Sequence, residues 1–598
     1  MALCTSPVYS EDFADFIYRH TNSTPEILAA SLGTNCIELA SREYAIAYRP
    51  LEQAIPLSFS QYSYDSIPKL YTPLDTTSME ASGIIPTFSQ PALNSMGEGV
   101  IIGVIDTGIQ YENPLFRNPD GSTRILGIWD QTIAGRAELP VPGSQDQLRL
   151  PDGQPLLPDG QLLYGSTYTN EDINQALAAP SPLELLPSTD TQGHGTFLAG
   201  IAAGGEAKDG SFIGAAPKAN LCIVKLKPAK QYLRDFYLIS PSAEAYQEND
   251  IMMGIKYLQY VASHYTMPLV ILLAMGTTYG SHDGTAPLSQ MFRPISNFTG
   301  LIPVVAAGNE SGFRHHFLGN IQKNQEYEDV EISVARNETG FVTELWSREP
   351  ELYTVGFVSP TGENIPRIPL TFGNDNKITF LLESTVITVN YINLEVSSGS
   401  QLIFMRFQNP TPGIWHVRVY NSLFITGQFH MWLPIHGFLS DSTVFLRSNP
   451  DTTITDPGNT PSVITAGAYN HENDSIYIHS SRGFTRTGFI KPELVAPGVD
   501  VFGPGLLRPI PSLADQEGGT PPMTRKTGTS VAAAHVAGAS ADLLGWAKQN
   551  NMLDSFSSAT VKSILIRGAD RNPVYSYPSK EWGFGQLNLY QSFLRMRE

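Results

Sequence analysis

"GVIIGVIDTGI", Gly99 to Ile109, decides the fold. From Val100 to Ile105 every residue is apolar or glycine, and most are β-branched. A strand with one wet face alternates apolar and polar side chains, whereas an unbroken β-branched run belongs to a strand covered on both faces. Such strands sit in parallel sheets, where helical crossovers supply the two covers. The run stops at Asp106-Thr107-Gly108, a carboxylate followed by turn residues.

Working outward, the same signature returns in "ANLCIVKLK" (219–227), "PLVILLAMG" (268–276), "GLIPVVAAGN" (300–309) and "SVITAGAY" (462–469). Helical patterns lie between and after these runs, as in "QENDIMMGIKYLQYVASHY" (247–265), "TSVAAAHVAGASADLLGWAK" (529–548) and "SATVKSILIRGA" (558–569). Buried strands alternating with helices predict an α/β fold with a parallel sheet and helices on both faces.

The pattern breaks between about His316 and Ser448. There "EDVEISVA" (328–335), "KITFLLES" (377–384) and "GIWHVRVYN" (413–421) alternate apolar and polar residues between turn signals. That period marks an all-β sandwich inserted as a unit. Its aromatics read as core and cross-strand pairs rather than a sugar-binding face. The first sixty-odd residues mix a helix with strands and read as a small α/β unit. "SFSQYSYDSIPKLYTPLDT" (58–76) follows, extended, with Pro68 and Pro73 excluding regular helix. The expected division is residues 1–65, 66–320, 321–446 and 447–598, the second and fourth forming one parallel-sheet domain.

A chain of 598 residues with 41% hydrophobic and 16% charged residues is an ordinary globular protein. A net charge of −19 repels phosphates, so neither nucleic acid nor an anionic membrane surface is an expected partner. Cys4, Cys36 and Cys222 are the only cysteines, with no CxxC, too few for a disulfide framework. The first twenty residues lack a basic flank before an apolar core, so no secretion signal is expected. No apolar run has bilayer length. Synthesis in the cytoplasm and retention in the cell, or in a spore it builds, is the expectation.

Four short motifs carry chemistry. Asp106 ends the first buried strand, where an unpaired carboxylate is costly. His194 stands between two glycines in "TQGHGTFLAG" (191–200), at the start of an apolar helix. Ser530, in "KTGTSVAAAHVAG" (526–538), opens a helix of small residues that can lie deep against a sheet, its free N–H groups and positive dipole end near the serine. Asn309 closes "VVAAGN" at the end of another buried strand. Taken singly, each has a structural reading: a turn carboxylate, a helix-start histidine, a helix cap (a role Thr529 could already fill), a turn asparagine. Taken together they supply what acyl transfer needs. A serine hydroxyl attacks only when a base takes its proton, the base needs a carboxylate to hold its tautomer, and the oxyanion needs a fixed donor such as an asparagine amide.

The set "VIDTG", "GHGT", "AAGN" and "GTSVAAAHVAG" resembles the subtilisin-like serine proteases, whose chain order is Asp, His, Ser. The resemblance implies that Asp106 orients, that His194 is general base and acid, that Ser530 is the nucleophile, and that Asn309 with the Ser530 N–H forms the oxyanion hole. It implies substrate contacts at Leu272, Ala274, Met275 and Gly276 on one wall and Ala307 and Gly308 on the other. An extended protein or peptide substrate would add there as a strand. "IPKLYTPLDT", "EASGI", "IWDQT", "GHGTFLAGIAAG" and the β insertion are similar to clostridial germination proteases of the Csp type. Those are subtilases with a retained prodomain and a jelly-roll insertion, some of which activate a zymogen during spore germination.

The expected function is therefore a serine endopeptidase. It would cut its own prodomain, between Ser58 and Tyr71, and keep it as a partner. The alternative is a pseudoprotease or signalling protein whose cleft the prodomain seals. "NPDGSTR" and "LPDGQ" read as turns, so no metal ligands and no cofactor are assigned. The resemblance leaves a structural calcium open.

Overall fold

The computed structural model describes residues 8–21, 24–32, 34, 36–73, 78, 81–88, 90–135, 137, 139, 162–371, 375–507 and 521–596. Its centre is a nine-stranded sheet. Ile101–Asp106 lies in the middle, parallel to Leu269–Leu273 on one side and Asn220–Lys225 on the other. Leu301–Ala306, Ile464–Asn470 and Leu494–Pro497 continue the parallel order outward. Short antiparallel strands, Ser166–Thr169 and Ser475–Ile476, end the sheet.

The unbroken apolar run at Val100–Ile105 is explained by two separate cores. Ile102 and Val104 pack with Leu198 and Val531, from the helices His194–Ala203 and Thr529–Gln549. Ile101 and Ile105 pack with Ile251 and Leu288, from the helices Glu248–Tyr265 and Pro287–Ile295. Both faces are dry, so no position in the strand tolerates a polar side chain until Asp106.

Near the N-terminus, Phe13–Arg19, Tyr44–Pro50 and Ile37–Leu39 form a three-stranded antiparallel sheet beside the helix Pro25–Leu32. Ile17, Ile46 and Tyr48 pack on the helix Glu248–Tyr265. Asp15, fully buried, is held by the Lys230 ammonium at 2.6 Å and by the Gln247 and Asn249 amides at 2.9 and 3.3 Å.

The alternating region forms two antiparallel sheets of six and five strands, spanning His316–Asn320 through Val444–Phe445, around a core of its own. The insertion is not independent of its host. Val342, Trp346 and Phe404 on the outside of the six-stranded sheet join a cluster with Tyr62, Tyr64 and Ile67 and with Leu233 and Phe236. Glu344 accepts bonds from Tyr64 Oη at 2.7 Å, Gly280 N at 3.0 Å and Trp346 Nε1 at 3.0 Å. One buried carboxylate thus ties the insertion to the N-terminal segment and to the parallel-sheet unit.

The stretch in which self-cleavage was expected is packed rather than free. Tyr62, Tyr64, Ser66, Ile67, Lys69 and Leu70 are all buried. Beyond it, Leu70–Pro73 runs antiparallel between two short strands, Tyr246–Gln247 and Met275–Gly276. The second of these is the expected substrate wall.

Candidate active site

Three neighbouring parallel strands end at one edge of the sheet, the usual place for a site in an open α/β fold. Asp106 closes the first; Ala274 follows the second, Leu269–Leu273; Asn309 comes three residues after the third, Leu301–Ala306. Fully buried Asp106 accepts the His194 Nδ1 hydrogen bond at 2.7 Å, the two residues lying 88 positions apart. The histidine is delivered by local geometry. Gly193 has a φ of 80°, which favours glycine, and a Cβ at Gly195 would stand 2.2 Å from the Gly108 carbonyl. The helix can therefore start against the turn that follows Asp106.

Ser530 is the second residue of its helix and is fully buried, its Oγ 3.5 Å from the Ala274 carbonyl. Thr529 is not the cap. Gly528 holds that place, and Thr529 Oγ1 instead accepts the Gly308 N–H at 3.1 Å. Asn309 Oδ1 accepts the Thr529 N–H at 3.0 Å. Its oxygen is thereby committed to the backbone of the residue before Ser530, and its NH2 is the end left to donate. The fold thus joins Asp106 to His194, and Asn309 to the residue before Ser530, at the ends of neighbouring strands.

A family model described as "Subtilase family" matches residues 97–339 and 441–585. The chain belongs to the subtilase family. Among solved structures, this subtilase is similar to the CspB protease of Clostridium perfringens, at 27% identity and a TM-score of 0.71, over 86% of this chain and 96% of that one. Two curated relatives come from Arabidopsis thaliana. The subtilisin-like protease SBT1.9 is 27% identical over 34% of this chain and 26% of its own, and SBT3.12 is 26% identical over 24% of this chain and 18% of its own. The match thus spans about a quarter or less of those plant proteins.

The walls of the subtilase cleft divide differently from the sequence reading. Ala274, Gly276, Ala307 and Gly308 follow the ends of two neighbouring strands, Leu269–Leu273 and Leu301–Ala306, and the Ala274 carbonyl meets Ser530 Oγ. Leu272 is not a wall residue, because its strand is bonded on both sides and its side chain packs in the core. Met275 lends only its backbone, its side chain lying in the opposite core. Thr455, which no motif marked, lies as a floor against Gly276 and Gly308. A Cβ at Gly276 would lie 2.3 Å from Thr455 Oγ1, and one at Gly308 would lie 2.6 Å from Thr455 Cγ2. Only the pairing of two glycines 32 positions apart in the sequence betrays this floor.

Next to the floor, Asp456 exchanges backbone hydrogen bonds with Thr277 at 3.1 and 2.9 Å. Burial, with the Asp283 carboxylate adding to it, pushes the Asp456 carboxyl up to about 8. Among the described residues no group of three metal-ligating side chains is found, and no helix is long and apolar enough to cross a membrane.

Proposed function

We propose that the chain is a serine endopeptidase acting through an acyl-enzyme. The observation that carries the reading is the 2.7 Å Asp106–His194 bond, set at the strand ends where Ser530 reaches Ala274. In this reading Ser530 Oγ attacks the scissile carbonyl and its proton passes to His194 Nε2, while Asp106 holds the Nδ1–H and stabilises the imidazolium. The oxyanion takes hydrogen bonds from Asn309 Nδ2 and the Ser530 N–H, groups fixed before reaction and worth on the order of 3 kcal/mol each in the transition state. Collapse breaks the C–N bond, His194 returns the proton to the leaving amine, and water reverses the sequence on the ester. Thr455 limits how deep the side chain before the cut can reach.

The chain is also proposed to process itself. Leu70–Pro73 pairs with the wall so that Thr72 faces Gly276 and Pro73 faces Met275. The strand therefore runs toward Ala274 and Ser530, which favours a cut after Pro73 rather than between Ser58 and Tyr71. A product left in place would keep the N-terminal unit as a bound partner. The same strand supports the second reading, a pseudoprotease sealed by its own segment. The physiological substrate in the first reading is a protein with an extended segment, for which a zymogen of spore germination is the candidate the Csp resemblance implies. A fluorophosphonate probe separates the readings. Labelling of the wild type and not of Ser530→Ala supports the enzyme; no labelling supports the sealed form.

A further inference from the structure

Asp106 holds His194 with a single oxygen. Oδ1 accepts both the Thr107 N–H at 2.8 Å and His194 Nδ1 at 2.7 Å, while Oδ2 is buried without a hydrogen-bond partner among the described residues. This bond orients the ring; the backbone on either side of His194 is set by other groups.

A second buried carboxylate does this. Asp190 Oδ1 accepts the N–H groups of Gln192 at 3.0 Å and Gly193 at 2.8 Å and the Thr107 hydroxyl at 3.0 Å. Its Oδ2 accepts the N–H and hydroxyl of Thr196 at 2.9 and 2.8 Å. Thr107 Oγ1 in turn accepts the Gly195 N–H at 2.9 Å. Both chain neighbours of His194, Gly193 and Gly195, thus hang from the Asp190–Thr107 pair, and Thr107 is the residue next to Asp106.

The geometry points to Asp190 as a positioning residue for the reaction: with the Thr107 hydroxyl it forms a clip that sets the His194 backbone against Asp106. The inference rests on the triad reading above. Asp190 touches no reacting atom and acts through His194. The clip needs a carboxylate, because donors reach both of its oxygens. An asparagine would turn its NH2 toward N–H groups whichever way it faced. A ring displaced by about 1 Å costs on the order of a hundred-fold in rate.

The test uses the full chain with Asp190→Asn, Thr107→Val, Thr107→Ser and the Asp190→Asn/Thr107→Val pair. Asp190→Asn and Thr107→Val are each expected to lower kcat by about ten- to a hundred-fold with KM within about twofold. Both should displace the limb of the pH–rate profile that reports histidine. Thr107→Ser, which keeps the hydroxyl, should match the wild type. The double variant should lose no more than the worse single one, since both break the same clip. Unchanged kcat and pH limb, a loss confined to KM, or additive losses would overturn the inference. Thr107→Val carries the test if Asp190→Asn fails to fold. The low-field proton NMR signal of the Asp106–His194 bond gives a readout that needs no turnover. Its broadening in Asp190→Asn or Thr107→Val supports the clip; an unchanged signal in both overturns it. A wild type that neither hydrolyses protein nor labels with the serine probe would instead remove the triad reading, with the NMR signal still judging the clip.

Discussion

Asn309 and Thr529, 220 positions apart, are joined by a 3.0 Å bond from the Thr529 N–H to Asn309 Oδ1. The bond turns the amide so that its NH2 end is the one left to donate, as the proposed oxyanion contact requires. Asn309→Ala is expected to lower kcat by about a hundred- to a thousand-fold with little change in KM. An unchanged kcat with a raised KM would mean that Asn309 only shapes the cleft.

In the proposed enzyme, Thr455 would set specificity. Thr455 fills the gap between Gly276 and Gly308, so Thr455→Gly removes three heavy atoms from the base of the pocket. In peptides that vary the residue before the cut, kcat/KM for an aromatic side chain should rise by about ten-fold relative to alanine. Equal changes for both peptides would place the side chain elsewhere.

How much of this was legible before the structure depended on the range of the information. The doubly covered strand at Val100–Ile105 and the alternating strands of the insertion are periodic signals that a few consecutive residues carry. Asp106, His194, Ser530 and Asn309 stood out because each sits in a small-residue setting that chemistry requires. Thr455 stands among ordinary turn residues and meets Gly276 and Gly308 only in the fold, while Asp190 bonds mainly to its own neighbours and only its contact with Thr107 is long-range. Leu272 erred the other way. A motif neighbour was read as a wall residue, while the parallel pairing on both sides buries it. Alternation in the insertion reports its own core, and the contacts that Trp346 and Phe404 make outside it leave no periodic mark.

Asp456 makes stability depend on pH. Its carboxyl lies near 8 in the fold against an ordinary 3.8, so between these values the folded chain keeps a proton that the unfolded chain releases. Stability contributed here is lost as pH rises through that window. Asp456→Asn has no such proton. It should melt about 2–4 °C or more above the wild type at pH 8 and level with it near pH 3.5. A gap that is the same at both pH values, or wider in acid, would contradict this.

The N-terminal unit is held by a charge that cannot be left alone. Lys230 is buried and meets Asp15 at 2.6 Å, and breaking one side of such a pair typically costs about 3–5 kcal/mol. In Asp15→Ala the N-terminal piece should dissociate on gel filtration after processing, while in the wild type the two pieces co-elute. Co-elution in both would mean that apolar contact alone retains the unit.

The most direct test of the account is intact-mass measurement and N-terminal sequencing of the purified wild type beside Ser530→Ala. The account predicts two associated pieces in the wild type, with a new N-terminus beyond Pro73, and a single full-length chain in Ser530→Ala, which should also lose turnover on the order of a million-fold. A wild type that stays one chain while it hydrolyses other proteins, or the same cut in Ser530→Ala, would contradict it.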